Sequence, residues 1–157
     1  MTAPAPTPLR VLIVDDEPLA RQRLASLVNE CLQPRCTIVA QCANAQQAQE
    51  AAVEHLVDVA LLDVQMPGST GLELAALWKR LPFPPVVVFV TAYSDHALQA
   101  FELEAADYLT KPVKRERLFA ALARAAKRVV NHPAQQAAAV GADTPVLVVT
   151  ERGRVIR

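Results

Sequence analysis

The sequence predicts an α/β domain in which a parallel, doubly wound sheet carries helices on both faces. Short apolar runs alternate with segments whose apolar residues recur at helical spacing, five times between residues 9 and 130. The strand candidates are continuously apolar, which is typical of a sheet that is covered on both faces. Strand and helix candidates in strict alternation favour parallel strands joined by helical crossovers.

The first half of the chain supplies two strand–helix units. Residues 9–14 form an apolar run that predicts the first strand. A helix is predicted from Pro18 until Pro34, which cannot continue it. Residues 37–40 predict the second strand, and Asn44 is a candidate cap for the second helix.

Two further units follow. Residues 57–62 predict an almost wholly apolar third strand, and a helix is expected from Gly71 after the turn at residues 66–68. Residues 85–90 predict the fourth strand, and Ser94 or Asp95 is the candidate cap of the helix that follows. The inward face of the third helix is expected to consist of Leu74, Leu77, Trp78 and Leu81.

The last unit combines a short strand at residues 106–109 with a helix from Lys114. On this helix one face is predicted to hold Leu118, Leu122, Ala125 and Val129. Because crossovers between parallel strands are right-handed, few topologies remain. The flavodoxin-like strand order 2-1-3-4-5 is the most economical of them.

Polar residues stand directly after four of the predicted strands. Asp15 and Asp16 follow the first strand, Asp63 the third, Thr91 the fourth and Lys111 the fifth. In a doubly wound sheet the functional groups gather at the carboxyl ends of the strands, so these side chains are expected to converge. Each residue alone has an ordinary structural explanation, and the combination at four corresponding positions indicates a site.

Three carboxylates at such an edge repel one another, by roughly 4 kcal/mol for two charges about 4 Å apart at an effective dielectric of about 20. Lys111 offsets part of this repulsion. A hard divalent cation suits the remaining all-oxygen site, with Mg²⁺ the best candidate and Mn²⁺ an alternative. Asp63 would then be the nucleophile toward a phosphoryl group, with Thr91 and Lys111 contacting the phosphoryl oxygens.

These residues resemble the signature of bacterial response-regulator receiver domains. The resemblance covers residues 9–130 and rests on these segments: Asp15-Asp16, Asp63 with Met66-Pro67 and Gly71, Thr91-Ala92, and Lys111-Pro112. It implies that Asp63 accepts a phosphoryl group from a phosphohistidine on a sensor histidine kinase. It also implies that Asp16, Asp63 and the Gln65 backbone carbonyl bind Mg²⁺ directly, and that Asp15 does so through water. Tyr108 matches a switch aromatic that responds to Thr91.

Residues 16–21 and 97–109 look like receivers of the LytTR (LytR/AlgR-like) class, which precede a β-rich DNA-binding domain. We therefore expect residues 1–8 to be an extension and 131–144 a linker. Residues 145–157 would be the start of a truncated LytTR-type DNA-binding domain, the route to a transcription-regulating output. A homodimer on phosphorylation is expected through the fourth helix, fifth strand and fifth helix, with these candidate surface residues: Glu102, Glu104, Asp107, Arg115, Arg117 and Arg124. An ordinary solvated face is the other interpretation of these charges.

Composition and the site restrict the other functions. The chain is 52% hydrophobic with a formal net charge of zero, so neither nucleic acid nor an anionic membrane is generally attracted. An odd set of three cysteines without a CxxC pair favours a reducing compartment, and we expect a cytoplasmic protein. A turnover enzyme is not expected, because an aspartyl phosphatase would need an acid where Gln65 stands. A nucleotide-binding loop is disfavoured by the acids after the first strand, and a pseudo-receiver that acts only in interaction or dimerisation is the remaining alternative.

Overall fold

The computed structural model describes residues 7–130, which form five strands and five helices in strict alternation. The strands are β1 (Leu9–Val14), β2 (Cys36–Cys42), β3 (Val59–Leu62), β4 (Val86–Thr91) and β5 (Asp107–Thr110). The helices are α1 (Pro18–Glu30), α2 (Ala45–Glu54), α3 (Gly71–Trp78), α4 (Ala97–Glu102) and α5 (Arg115–Val130). All strand pairs are parallel, and the order β2-β1-β3-β4-β5 confirms the predicted topology.

The sheet separates two hydrophobic cores because successive side chains of a strand point to opposite faces. Val11 and Ile13 of β1 pack with α1 and α5, whereas Leu12 and Val14 pack with α2 and α3. All four side chains are fully buried, which explains why the strand reads as a continuous apolar run. Strand β1 is therefore packed against helices on both of its faces.

Local sequence explains where several helices begin. Asn44 caps α2 as predicted, since its side-chain oxygen accepts a hydrogen bond from the Gln47 amide at 2.9 Å. Thr70 and Glu73 form a capping box at the start of α3, with reciprocal hydrogen bonds of 2.8 and 3.1 Å. Lys114 flanks α5, and its carbonyl accepts the Leu118 amide at 3.0 Å.

Two expectations about the helices need correction, and one is confirmed. Leu77 and Leu81 were predicted to face inward, but they are 45% and 42% exposed. Leu77 lies beside the buried face of α3, which consists of Gly71, Leu74, Ala75 and Trp78, and Leu81 follows the end of the helix at Trp78. Neither Ser94 nor Asp95 caps α4, which is flanked by His96 without a side-chain cap. The predicted inward face of α5 is confirmed, with Leu118, Leu122, Ala125 and Val129 buried.

The predicted extension at residues 1–8 lies mostly outside the described residues, and the predicted linker (131–144) and second-domain start (145–157) lie wholly outside them. Between residues 7 and 130, none of the helices combines the length and apolar character that a bilayer-spanning segment needs.

Candidate functional site

The site lies at the carboxyl ends of the central strands, where the polypeptide crosses from strand to helix. Val14 and Leu62 are register partners in β1 and β3, so Asp15 and Asp63 leave adjacent strands at the same level. The Asp63 amide donates to the Val14 carbonyl at 2.9 Å, which continues the pairing by one residue. Asp15, Asp16 and Asp63 each present a carboxylate oxygen within 4.8 Å of the others. The predicted convergence of the three acids is therefore present.

Two of these acids are buried. Asp15 is fully buried and Asp63 is 6% exposed, whereas Asp16 is more exposed than either. One oxygen of Asp15, Oδ1, accepts the Glu17 amide at 2.9 Å. The other, Oδ2, is buried and accepts no hydrogen bond of acceptable geometry. Its charge is compensated by an ion pair with Lys111 Nζ at 2.7 Å, and a buried carboxylate oxygen without a hydrogen bond fits a site in which a metal-bound water also donates to it.

Lys111 extends across the acids from the loop after β5. Its Nζ lies 2.7 Å from Asp15 Oδ2 and 3.2 Å from Asp63 Oδ2, and Glu17 Oε1 lies at 3.5 Å. The contact with Asp63 is a hydrogen bond, whereas the shorter contact with Asp15 is an ion pair without hydrogen-bond geometry. One ammonium therefore serves two buried carboxylates, and a surplus of negative charge remains among the acids.

The pKa values follow from this arrangement. Burial raises the pKa of Asp63, and the charge of Asp15 raises it further, while Lys111 and the Gln65 amide oppose the change. Burial lowers the pKa of Lys111, but its contacts with Asp15 and Asp63 outweigh this effect, so the net pKa is raised. Lys111 is accordingly a stable cation, and Asp63 is a carboxylate whose charge the surroundings do not fully compensate.

The segment after Asp63 is packed closely against it. The Gln65 amide donates to Asp63 Oδ1 at 3.2 Å, and the Gly71 amide donates to the Val64 carbonyl at 2.9 Å. A Cβ on Gly71 would lie 2.1 Å from the Asp63 carbonyl oxygen, a distance that atoms cannot adopt. Gly71 is therefore required for the close approach of α3 to the backbone of Asp63.

Thr91 and Tyr108 are connected through one backbone segment. Thr91 is fully buried, and its Oγ1 accepts the Tyr93 amide at 3.3 Å. The Tyr108 hydroxyl donates to the Tyr93 carbonyl, and its ring lies 6.3 Å from that of Phe89. Burial raises the pKa of Tyr108, so its hydroxyl keeps the proton that it donates. Residue 93 thus links the predicted switch residues.

Sequence reasoning missed three participants in the site. Glu17 approaches Lys111, Arg21 donates to the Asp15 carbonyl at 2.6 Å, and Arg23 donates to the Val113 carbonyl at 2.6 Å. The arginine contacts join residues six and ninety positions apart, and helical spacing does not reveal such pairs.

Most of the charged residues predicted as a dimer surface form ion pairs within the chain. Asp107 at the start of β5 contacts Arg117 at 3.3 Å and also contacts Arg124, both on α5. Glu102 is exposed on α4. The remaining pairs join Glu104 to Lys79 at 3.0 Å and Arg115 to Glu30 at 2.7 Å. Five of the six residues therefore already have partners of opposite charge.

Comparison with known proteins agrees with this geometry. Residues 11–123 match the family model described as the response regulator receiver domain. The positive alginate biosynthesis regulatory protein of Pseudomonas aeruginosa is 43% identical over 119 residues, covering 76% of this chain and 48% of that protein. The sensory transduction protein LytT of Bacillus subtilis is 42% identical over 113 residues, covering 70% of this chain and 45% of that protein. The chain thus spans about half the length of these relatives.

The solved structure of the response regulatory domain of mrkE from Klebsiella pneumoniae is also similar. It matches with a TM-score of 0.72 and 32% identity, covering 79% of this chain and all of that chain. Relatives named LytT confirm the resemblance to LytTR-class regulators. By the match of its family model and by its fold, the chain belongs to the response-regulator receiver domain family.

Proposed function

We propose that this chain is a phosphorylation-dependent signalling switch in which Asp63 accepts a phosphoryl group from a phosphohistidine of a sensor histidine kinase. The observation that carries the proposal is the cluster of three acids within 4.8 Å, with Lys111 bridging Asp15 and Asp63. This arrangement puts a nucleophile and a cation side by side. The rest of the domain holds them at one end of a rigid sheet.

The donor set suits a hard divalent cation. Three carboxylates share one ammonium, and Asp15 Oδ2 is buried without a hydrogen bond. Magnesium accepts a small number of carboxylate ligands and retains waters, which fits this set, and manganese shares the preference. We assign direct binding to Asp16, Asp63 and the Gln65 carbonyl, and binding through water to Asp15. When bound, the ion would neutralise charge that develops on the phosphoryl oxygens.

The chemical step is a displacement at phosphorus. A carboxylate oxygen of Asp63 attacks the phosphorus while the phosphorus–nitrogen bond of the donor breaks, and the electron pair leaves with the donor imidazole. The product is an acyl phosphate on Asp63. Lys111 shifts its hydrogen bond from Asp63 Oδ2 to a phosphoryl oxygen, and the Thr91 hydroxyl donates to another. The domain promotes its own phosphorylation and dephosphorylation and does not turn over an external substrate.

The output follows from the link between Thr91 and Tyr108. When the Thr91 hydroxyl turns to the phosphoryl group, its hydrogen bond from the Tyr93 amide is lost. The Tyr93 carbonyl, which accepts from Tyr108, then changes position, and Tyr108 turns inward. Converting a mostly inactive population to a mostly active one takes about 5.5 kcal/mol of differential interaction. Two charge-assisted hydrogen bonds and a cation are of the right order to supply it.

The surface of α4, β5 and α5 is the site of the proposed response. Two copies related by a two-fold axis would exchange ion pairs of the Asp107–Arg117 and Asp107–Arg124 type between chains. Transcription regulation is proposed as the output because relatives include the transcriptional regulatory protein BtsR of Salmonella typhi. DNA contact would belong to a domain beyond residue 130. Sedimentation equilibrium with and without beryllofluoride tests dimer formation, and a monomer at every concentration would exclude it.

Phosphorylation itself is tested by incubating the full chain with acetyl phosphate and Mg²⁺ and measuring intact mass. The wild type is expected to gain one phosphoryl group, and Asp63→Asn is expected to gain none. A matched control is Asp58→Asn, which removes a buried carboxylate at the opposite end of β3 that pairs with Arg10 at 3.1 Å. No gain in the wild type under any metal condition would favour the alternative of a pseudo-receiver that acts only through interaction.

A further inference from the structure

The loop that carries Lys111 is anchored by hydrogen bonds at both of its ends. Upstream, the Lys111 amide donates to the Thr91 carbonyl at 2.7 Å. Pro112 follows and has no amide proton to donate. Downstream, the Val113 side chain is 4% exposed in the core, and its carbonyl accepts Nη2 of Arg23 at 2.6 Å. The loop is therefore attached to β4 on one side and to α1 on the other.

Helix α1 begins directly after the acidic loop. Arg21, two residues before Arg23 on the same helix, donates to the Asp15 carbonyl at 2.6 Å. The same helix thus holds the backbone of Asp15 through one arginine and the backbone beside Lys111 through another. Since Lys111 lies 2.7 Å from Asp15, a shift of either backbone changes the ion pair directly.

From these contacts we infer that Arg23 is a positioning residue for phosphoryl transfer, which holds the Lys111 loop so that the ammonium stays between Asp15 and Asp63. The inference rests on the proposed function. Arg23 touches neither the acids nor a phosphoryl group, and it acts through the Val113 carbonyl. A displacement of reacting groups by about 1 Å can cost on the order of 10²-fold in rate, so an anchor of this loop is expected to affect rate more than stability.

A contact between α1 and the first residue of α5 supplies the control. Nε of Arg115 donates to Oε1 of Glu30, the last residue of α1, at 2.8 Å, and Nη2 of Arg115 lies 2.7 Å from the same oxygen. This pair joins the end of α1 that lies away from the acids to the start of α5. Glu30→Gln therefore removes a neighbouring contact of α1 that does not involve residues 111–113 themselves.

The test compares Arg23→Gln, Arg23→Lys and Glu30→Gln with the wild type, all as full chains. With acetyl phosphate and Mg²⁺, Arg23→Gln is expected to be phosphorylated about five- to tenfold more slowly. Glu30→Gln should match the wild type. Arg23→Lys should recover most of the rate because its long side chain brings an ammonium donor to the Val113 carbonyl, which the shorter glutamine side chain does not reach. The urea midpoints of the variants should lie close together.

A readout without metal or phosphate separates positioning from folding. Amide hydrogen exchange of Lys111 in metal-free Arg23→Gln should speed up about tenfold or more, while the amides of β1 keep their wild-type exchange rates. An equal increase at every amide, an unchanged Lys111 amide, or no recovery in Arg23→Lys would overturn the inference. If the wild type is not phosphorylated at all, the proposed function fails, and the exchange measurement still decides whether Arg23 holds the loop.

Discussion

Replacing Lys111 with methionine tests how strongly the acids depend on a cation. The ammonium lies 2.7 Å from Asp15 and 3.2 Å from Asp63. At an effective dielectric of about 20, these distances correspond to attractions of roughly 6 and 5 kcal/mol. Much of this attraction offsets the free energy of desolvating the Lys111 side chain, which is 19% exposed. Removing one partner of a buried ion pair typically leaves a net loss of about 3–5 kcal/mol.

We expect Lys111→Met to lose about 3 kcal/mol of unfolding free energy in EDTA at neutral pH, the low end of that range, because Asp63 can take up a proton instead. Saturating Mg²⁺ should reduce the loss to about 1 kcal/mol or less, since the metal then compensates the same carboxylates. Urea denaturation followed by circular dichroism measures both values. Lys114→Met, at an exposed lysine three residues away, should change stability by at most about 0.5 kcal/mol. An equal loss with and without Mg²⁺ would refute the reasoning.

Three further changes probe the surroundings of Asp63. Gly71→Ala forces a Cβ to within 2.1 Å of the Asp63 carbonyl oxygen, so we expect a loss of about 2–3 kcal/mol and slower phosphorylation. Gly68→Ala, whose Cβ would meet nothing within 4 Å but whose φ is +80°, should cost about 1–2 kcal/mol and leave the phosphorylation rate unchanged. Asp63→Asn should be more stable than the wild type in EDTA at neutral pH. Because the pKa of Asp63 in the folded state is raised from 3.8, the wild type loses stability as the pH rises through that higher pKa. Denaturation at several pH values should therefore show that the difference in unfolding free energy between Asp63→Asn and the wild type grows above pH 3.8. Tyr93 is 50% exposed, and Tyr93→Ala should shorten the phosphoryl half-life several-fold because the attacking water is no longer hindered by the ring. Tyr93→Phe keeps the ring and should preserve the half-life. Equal half-lives of the wild type and Tyr93→Ala in quench-flow measurements would contradict this role.

The fold was predictable because β1, β3 and β4 are buried almost throughout, whereas the edge strands β2 and β5 are only partly buried. Continuous apolar runs such as residues 9–14 and 86–91 have few alternatives once helical segments lie between them. Element ends were less predictable. The β3 strand begins at Val59 rather than at residue 57, and β2 extends to Cys42. The prediction of the inward face of α3 failed at two residues: Leu81 follows the end of the helix, and Leu77 lies beside the buried face.

The site was predictable to the extent that sheet topology determines it. The strands that precede Asp15, Asp63 and Lys111 have a predictable order, and the strand order alone is enough to predict that these side chains converge. The contacts of Arg21 and Arg23 depend on which way two long side chains turn from one helix, which no spacing rule specifies. The capping box of Thr70 and Glu73 was readable as a T-x-x-E pattern and was overlooked.

Intact mass after exposure to acetyl phosphate tests the central claim, that a cation among these carboxylates prepares Asp63 for covalent modification. The account predicts one added phosphoryl group in the wild type with Mg²⁺, and no added group in EDTA or in Asp63→Asn. Borohydride trapping and peptide mass should assign the group to Asp63. An unmodified wild type in Mg²⁺, or modification that persists in Asp63→Asn, would contradict it.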